Sequence, residues 1–287
     1  MGPVSCILPD GKRLHLNHGP IDLIIEAEGH PREVRCAYEA AEGRFSTVLD
    51  ELVRELPSLR SDVSKDGIEL NGSIAKNMES VARPHWRLRL TPMAAVAGAV
   101  ADEILMAMTS HAELKRAYVN NGGDIALHLE ASEVFSIASA AGPITVRGVD
   151  HVRGVATSGW RGRSFSLGIA DSVTVLARTA AEADVAATLI ANAVDLPNST
   201  KIRRQPACQI SPDSDLRERL VTVEVLLLEP DEICAALVSG INLAGDFLRG
   251  GFVEAATLAL GGQIRCVKAD KKPGCILQTQ EDTLCLT

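Results

Sequence analysis

Apolar and polar residues alternate over Ile21-Asp-Leu-Ile-Ile-Glu-Ala27, and a two-residue period of this kind predicts a strand with one buried face. The period changes after the turn at Gly29-His-Pro31. From Val34 the apolar positions Ala37, Tyr38, Ala41, Phe45, Val48, Leu49, Leu52, Val53 and Leu56 recur at three and four, predicting a long helix that Pro57 ends. The polar stretch 58–84 carries turn signals at Asp66-Gly67 and Asn71-Gly72, which suit a hairpin. Thr91 as cap and Pro92 at the first helical position then open an apolar helix to Met108. Its first turns are nearly all Ala and Gly, a surface on which another backbone or a ligand can come close.

Ala117-Tyr-Val, the loop Asn120-Asn-Gly-Gly-Asp124 and Ile125-Ala-Leu-His-Leu129 read as strand, glycine loop and strand. Shorter β runs are expected at Phe135 to Ala138, Ile144 to Val146 and Ser172 to Leu176. Thr179-Ala-Ala-Glu182 is a capping box opening a helix to about Val194. A polar link (198–215) precedes a strand at 221–228 and a helix from Pro230 to about Leu248; the remaining tail alternates weakly and predicts no clear element. Strands and a few long helices follow one another without the short-loop rhythm of a doubly wound parallel sheet, so the expected class is α+β.

Composition narrows the function classes. With 46% hydrophobic and 23% charged residues in 287, the chain is globular and long enough to bury about three quarters of its unfolded surface. A net charge of −8 and nine aromatic residues argue against nucleic acid as a partner. No run of 18 apolar residues and no basic-then-apolar amino-terminal segment is visible, which leads to the expectation of a cytoplasmic protein with no membrane partner. The seven cysteines are scattered and lack a C-x-x-C pair; they read as small hydrophobes or surface thiols. The histidines occur singly, H-E-x-x-H is absent, and no nucleophile–histidine–acid set is legible.

Four segments carry candidate chemistry, each with an ordinary alternative. The loop Asn121-Gly122-Gly123-Asp124 suits an anion or a tight turn. Thr157-Ser158-Gly159 with Arg163, Ser164 and Ser166 suits a phosphate cradle or a polar hairpin. Asp184 and Thr188 share one helix face and offer two hard oxygen ligands, unless Asp184 sits in water and Thr188 bonds back to its carbonyl. The charged stretches around Arg203 and Asp213 read as a solvated link.

Taken in order, these segments resemble the ApbE superfamily, whose flavin transferases are magnesium-dependent. Ala95-Val-Ala97-Gly98 is similar to its Ala-Lys-Gly helix, Gly122-Gly123-Asp124 to its Gly-Gly-Asp loop, Thr157-Ser158-Gly159 to its Thr-Ser-Gly, and Ala183-Asp184-Val-Ala-Ala-Thr188 to its metal-holding Asp/Thr helix. The resemblance implies a single domain over 1–287 with an atypical tail at 266–287, built as a tandem duplication of two intertwined T-fold-like halves around a central cleft. It implies Mg²⁺ held by Asp184, Thr188 and the Ala97 carbonyl. It also implies FAD or a related nucleotide as small-molecule ligand, cradled by Asn121, Gly122, Gly123, Asp124, Thr157, Ser158, Gly159, Arg163, Ser164 and Ser166. The departures are specific. Where flavin transferases carry His-Ile-Ile-Asp-Pro-x-Thr-Gly, this chain has the shorter Ser164-Phe-Ser-Leu-Gly-Ile-Ala-Asp171, leaving Asp171 as the candidate acid or base. The lysine after the metal-binding alanine and the amino-terminal flavin-seating motif are also missing; Thr91-Pro-Met-Ala-Ala-Val-Ala-Gly98, Ser164-x-Ser-x-Gly-x-Ala-Asp171 and Pro212-Asp-Ser-Asp-Leu216 resemble instead the branch of the superfamily that carries a UPF designation. The expected function is therefore metal-assisted phosphoryl or nucleotidyl (FMN) transfer from a flavin-type dinucleotide. The alternative is a flavin- or pterin-binding protein, or an enzyme of other chemistry, that has lost transfer. Gly240, Gly245, Gly250 and Gly251 suit close helix approach in a homodimer.

Overall fold

The computed structural model describes residues 2–269 and the backbone of 276 and 277, so most of the expected tail at 266–287, with Cys275 and Cys285, lies outside the described residues. The chain divides into two units. One holds residues up to Glu133 with His151–Ala156 and Ala177–Val185; the other holds Val134–Asp150, Thr157–Leu176 and the chain from Ala186 on.

In the first unit, β1 (Val4–Ile7), β2 (Leu14–His18), β3 (Ile21–Gly29), β4 (Leu114–Asn121) and β5 (Asp124–Leu129) pair antiparallel in sequence order. The alternation read at 21–27 is the pleat of β3: Ile21, Leu23, Ile25 and Ala27 are buried. They belong to the same core as the Ala37, Ala41, Phe45, Val48 and Leu52 face of α1 (Pro31–Leu59). This helix runs through Pro57 instead of stopping there. Proline removes one donor, but Arg60 N–H closes the last turn on the Leu56 carbonyl at 3.0 Å, and burial of Leu59 secures it.

The expected hairpin at 58–84 is instead a helix, α2 (Ser73–Ala82), followed by a 3₁₀ segment. Asn71 and Gly72 form its start, and their N–H groups donate to the Glu55 carboxylate at 2.6 and 2.7 Å. A 3₁₀ turn at Pro92–Ala95 leads into α3 (Val96–His111). Together, Pro92–His111 is long and apolar enough to cross a membrane by length and composition alone; here Ala99, Val100, Ile104, Leu105 and Met108 are buried.

In the second unit, β6 (Val134–Ser139) and β7 (Gly142–Arg147) form a hairpin, and β14 (Ile276–Leu277) pairs with β7. β8 (Gly154–Ser158), β9 (Ser172–Ala177) and α4 (Ala180–Ala193) each cross the division between the units along the chain. The link expected at 198–215 contains β10 (Ile202–Pro206) and a single turn, α5 (Ala207–Ile210), and β10 pairs with β11 (Leu220–Val225). β11 ends at Val225, short of the expected 228, and Leu227 is 86% exposed.

After α6 (Pro230–Arg249), the tail expected to be featureless forms β12 (Ala255–Leu260) and β13 (Gln263–Lys268). All six β12 residues are buried, so a two-residue period could not reveal it. Residues Ser172–Leu176 of β9 pair antiparallel with β12, and α6 lies on β12 and β13. Gly240 serves this internal packing: a Cβ there would lie 2.4 Å from the Val194 side chain. The architecture is α+β with antiparallel sheets.

Candidate functional site

The centre of the first unit is a pair of helix starts. At the head of α4, Thr179 Oγ1 accepts from Glu182 N–H at 3.1 Å, one half of the expected capping box. The Glu182 carboxylate pairs with Arg178 at 2.8 Å instead of closing the box. The Ala180 and Ala181 N–H groups donate to Asp102 on α3, at 3.0 and 2.9 Å. Asp184 on α4 returns the contact, its Oδ2 accepting from Gly98 N–H at 3.0 Å. Each helix thus caps the other. The small residues of α3 make this possible: a Cβ on Gly98 would lie 2.2 Å from the Ala180 carbonyl oxygen.

The carboxylates here are electrostatically uncomfortable. Asp184 retains some accessible surface, but its carboxylate is surrounded by protein, and this desolvation pushes its pKa well above the ordinary value. The charge of Asp124 adds to the rise, the Gly98 and Ala97 amides oppose it, and Asp102 adds a smaller push. Among the described residues Asp184 has no ion-pair partner. Burial likewise raises Asp102, to about 6, against the pull of the Ala181 and Ala180 amides.

The glycine loop is a two-residue turn closing β4 on β5, with Asn121 opposite Asp124. Gly122 (φ 67) and Gly123 (φ 116) both occupy the left-handed side that a side chain resists. Gly123 N–H donates to Asn120 Oδ1 at 2.9 Å, and Asn121 Nδ2 donates to the Ala97 carbonyl at 3.1 Å, tying the turn to the start of α3. The structure therefore brings Ala97, Asn121, Asp124 and Asp184 together in one unit, with Gly122 and Gly123 at the adjoining turn. Thr188 follows Asp184 by one turn of α4; it does not bond back to the Asp184 carbonyl and makes no hydrogen bond among the described residues. No three His, Cys, Asp or Glu side chains form a metal cage among the described residues. A cation here would rest on carboxylate and main-chain oxygens, a donor set that suits a hard ion such as Mg²⁺.

The remaining expected residues lie in the second unit. Thr157 and Thr174 hydroxyls are 2.9 Å apart. Gly159 (φ 152) lets the chain pass the Asp171 carbonyl, which a Cβ would approach to 2.6 Å. Past Ser158, residues 159–170 form a loop closed by Trp160 N–H on the Ala170 carbonyl, not a hairpin. Asp171 has both oxygens engaged: Oδ1 receives Arg161 Nε at 2.6 Å, and Oδ2 receives Gly261 N–H at 2.8 Å. Arg161 also stacks on the Trp160 ring at 4.8 Å. Arg163 and Ser164 are exposed, whereas Ser166 is buried, its hydroxyl set between Asn192 Oδ1 and Gly168 N–H, 3.3 Å from each.

Two residue sets escaped the sequence reading. Asp102 had a signal, since an acid four residues after Gly98 interrupts an otherwise apolar helix. Cys6, His15 and Asp22 had none, because only the register of β1 to β3 brings them together.

Comparison with known proteins returns both sequence relatives and solved structures. UPF0280 protein of Methanospirillum hungatei is 31% identical over 166 residues, 54% of this chain and 65% of that protein. The UPF0280 protein of Archaeoglobus fulgidus is 40% identical over 103 residues, 36% of this chain and 44% of the relative. The chain thus matches less than two thirds of the length of these relatives. Among solved structures, flavin transferase ApbE from Vibrio cholerae is 10% identical, with 92% of this chain and 96% of that chain covered at a TM-score of 0.46. The ApbE protein from Thermotoga maritima is 11% identical, with the same coverage and a TM-score of 0.47. A family model described as AbpE bacteria matches residues 5–266, nearly the whole described chain, and the protein belongs to that family.

Proposed function

We propose that this protein binds Mg²⁺ and a diphosphate-containing small molecule of the flavin-nucleotide class at the paired helix starts of its first unit. The observation that carries the reading is Asp184: a desolvated carboxylate beside a second one, Asp124, with no cationic side chain to neutralise it among the described residues. Such a group takes up either a proton or a cation. Asp184 and the Ala97 carbonyl would hold Mg²⁺, which when bound neutralises charge on a diphosphate; Thr188 comes to the reading through the family resemblance alone. The Gly122 amide would face the anion, because the turn is fixed to the start of α3 through Asn121 while the Gly123 amide is taken by Asn120 Oδ1. Thr157, Ser158, Gly159 and Arg163 come to the reading through the family resemblance alone.

Whether the ligand is cleaved is a separate matter. Transfer of a nucleotidyl group needs a proton acceptor, and Asp171 is held on both oxygens by Arg161 and Gly261. With the His-Ile-Ile-Asp-Pro segment missing as well, this favours binding without transfer over flavin transfer.

Calorimetry with Mg²⁺ tests the site, and incubation with FAD and Mg²⁺ tests the chemistry. Asp184→Ala is expected to abolish Mg²⁺ binding in a folded protein; unchanged affinity would overturn the assignment. Intact FAD retained on the protein supports binding alone, whereas release of AMP establishes transfer.

A further inference from the structure

Cys6 and His15 are cross-strand partners, as are Asn17 and Asp22, and all four project from the sheet face opposite the buried Leu14, Leu16 and Leu23. Cys6 Sγ lies 3.9 Å from His15 Nδ1, and His15 Nε2 lies 2.5 Å from Asp22 Oδ1. Asn17 Nδ2 reaches the same Asp22 oxygen at 3.5 Å and the Ile21 carbonyl at 3.2 Å, which steadies the carboxylate. Cys6 is exposed, and the His15 and Asp22 side chains are 31% and 43% exposed, so the set is open to reagents from solution.

The order of groups is that of an activated nucleophile: a thiol, an imidazole within reach of it, and an acid that orients the imidazole. Asp22 holds the Nε2–H tautomer, and that leaves Nδ1 with its lone pair toward the sulfur. Cys36, exposed on α1, makes no hydrogen bond among the described residues and serves as an internal reference.

We propose that Cys6 is a reactive thiol, activated by His15 and Asp22, that exchanges with low-molecular-weight disulfides. His15 Nδ1 takes the thiol proton as Cys6 sulfur attacks one sulfur of the disulfide RSSR. The Cys6–sulfur bond forms, the RS–SR bond breaks, and the leaving RS⁻ collects the proton from His15. The products are a mixed disulfide on Cys6 and one RSH, with no other oxidant or reductant consumed. The site is independent of the Mg²⁺ reading.

The test uses the intact chain, with oxidised glutathione and iodoacetamide as probes and peptide mass spectrometry as readout. At about pH 7, Cys6 is expected to react about tenfold faster than Cys36, and the ratio to fall toward one near pH 10, where every ordinary thiol is ionised. His15→Ala should bring Cys6 down to the rate of Cys36, with Asp22→Asn between the two. Equal rates for Cys6 and Cys36 in the unsubstituted protein, which need no variant to fold, would overturn the proposal. An unchanged Cys6 rate in His15→Ala would do the same.

Discussion

Asp184 and Asp171 are both aspartates set among backbone amides, yet they are spent differently. Asp171 receives a guanidinium on one oxygen and an amide on the other, so its charge is used up in holding a loop to the turn between β12 and β13. Asp184 receives amides only, and the side chains whose charges bear on it are acids. A carboxylate balanced by arginine has its charge neutralised in place, whereas one surrounded by amides and other acids keeps its ionised form at a cost. Both residues stood in the sequence as candidate site groups; their neighbours, not their positions in motifs, separate them.

The strongest test asks whether the close packing beneath the Asp184 site is as strict as that in the other unit. Gly98→Ala would drive a methyl group into the Ala180 carbonyl, and Gly168→Ala would do the same at the Ala191 carbonyl, each at 2.2 Å. Because backbone stands on the receiving side, each change should cost at least about 3 kcal/mol in urea unfolding or prevent folding.

Next in size is the pH dependence of the helix pair. Asp102 rises from 3.8 to about 6 in the folded protein, so the fold binds its proton more tightly than the unfolded chain does. The stability it contributes is full below the unfolded value and is lost as pH rises through about 6, a loss of about 3 kcal/mol. His85, lowered to about 4 by burial, acts in the opposite sense: its contribution is present above 6.5 and is lost as pH falls toward 4. The Asp102 share is therefore read from the difference between the unsubstituted protein and Asp102→Asn across this range; a pH-independent difference would break the account.

The smallest effect bears most directly on the contrast. Asp184→Asn keeps an acceptor for the Gly98 amide while removing a group whose ionised form burial penalises, and in chelator it should stabilise the fold by about 1 kcal/mol. Asp171→Asn loses the arginine pair and should destabilise by about 1 kcal/mol. Thermal melts that moved in the same direction would show that the two sites are alike after all.

The sequence disclosed what is local. The pleat of β3, the apolar stripe of α1, the glycine turn and the Thr179 cap each depend on neighbours within a few positions. It misled where one residue pair serves two purposes: Asn71-Gly72 is good turn chemistry, and the same freedom starts α2 once Glu55 supplies an acceptor. It was silent at β12, where burial on both faces erases alternation. The motif order located the neighbourhood of Asp184 but not its electrostatics, because Asp102 and Asp124 reach it only through the folding of α3 and the β4–β5 turn. Cys6, His15 and Asp22 illustrate the far limit, since a set assembled by sheet register leaves no linear trace.

The mutual capping of α3 and α4 has a dynamic corollary. The first-turn amides of each helix are held by a carboxylate of the other, so the Gly98, Ala180 and Ala181 amides share one set of protecting contacts. A ligand that tightens either end would thereby quieten both.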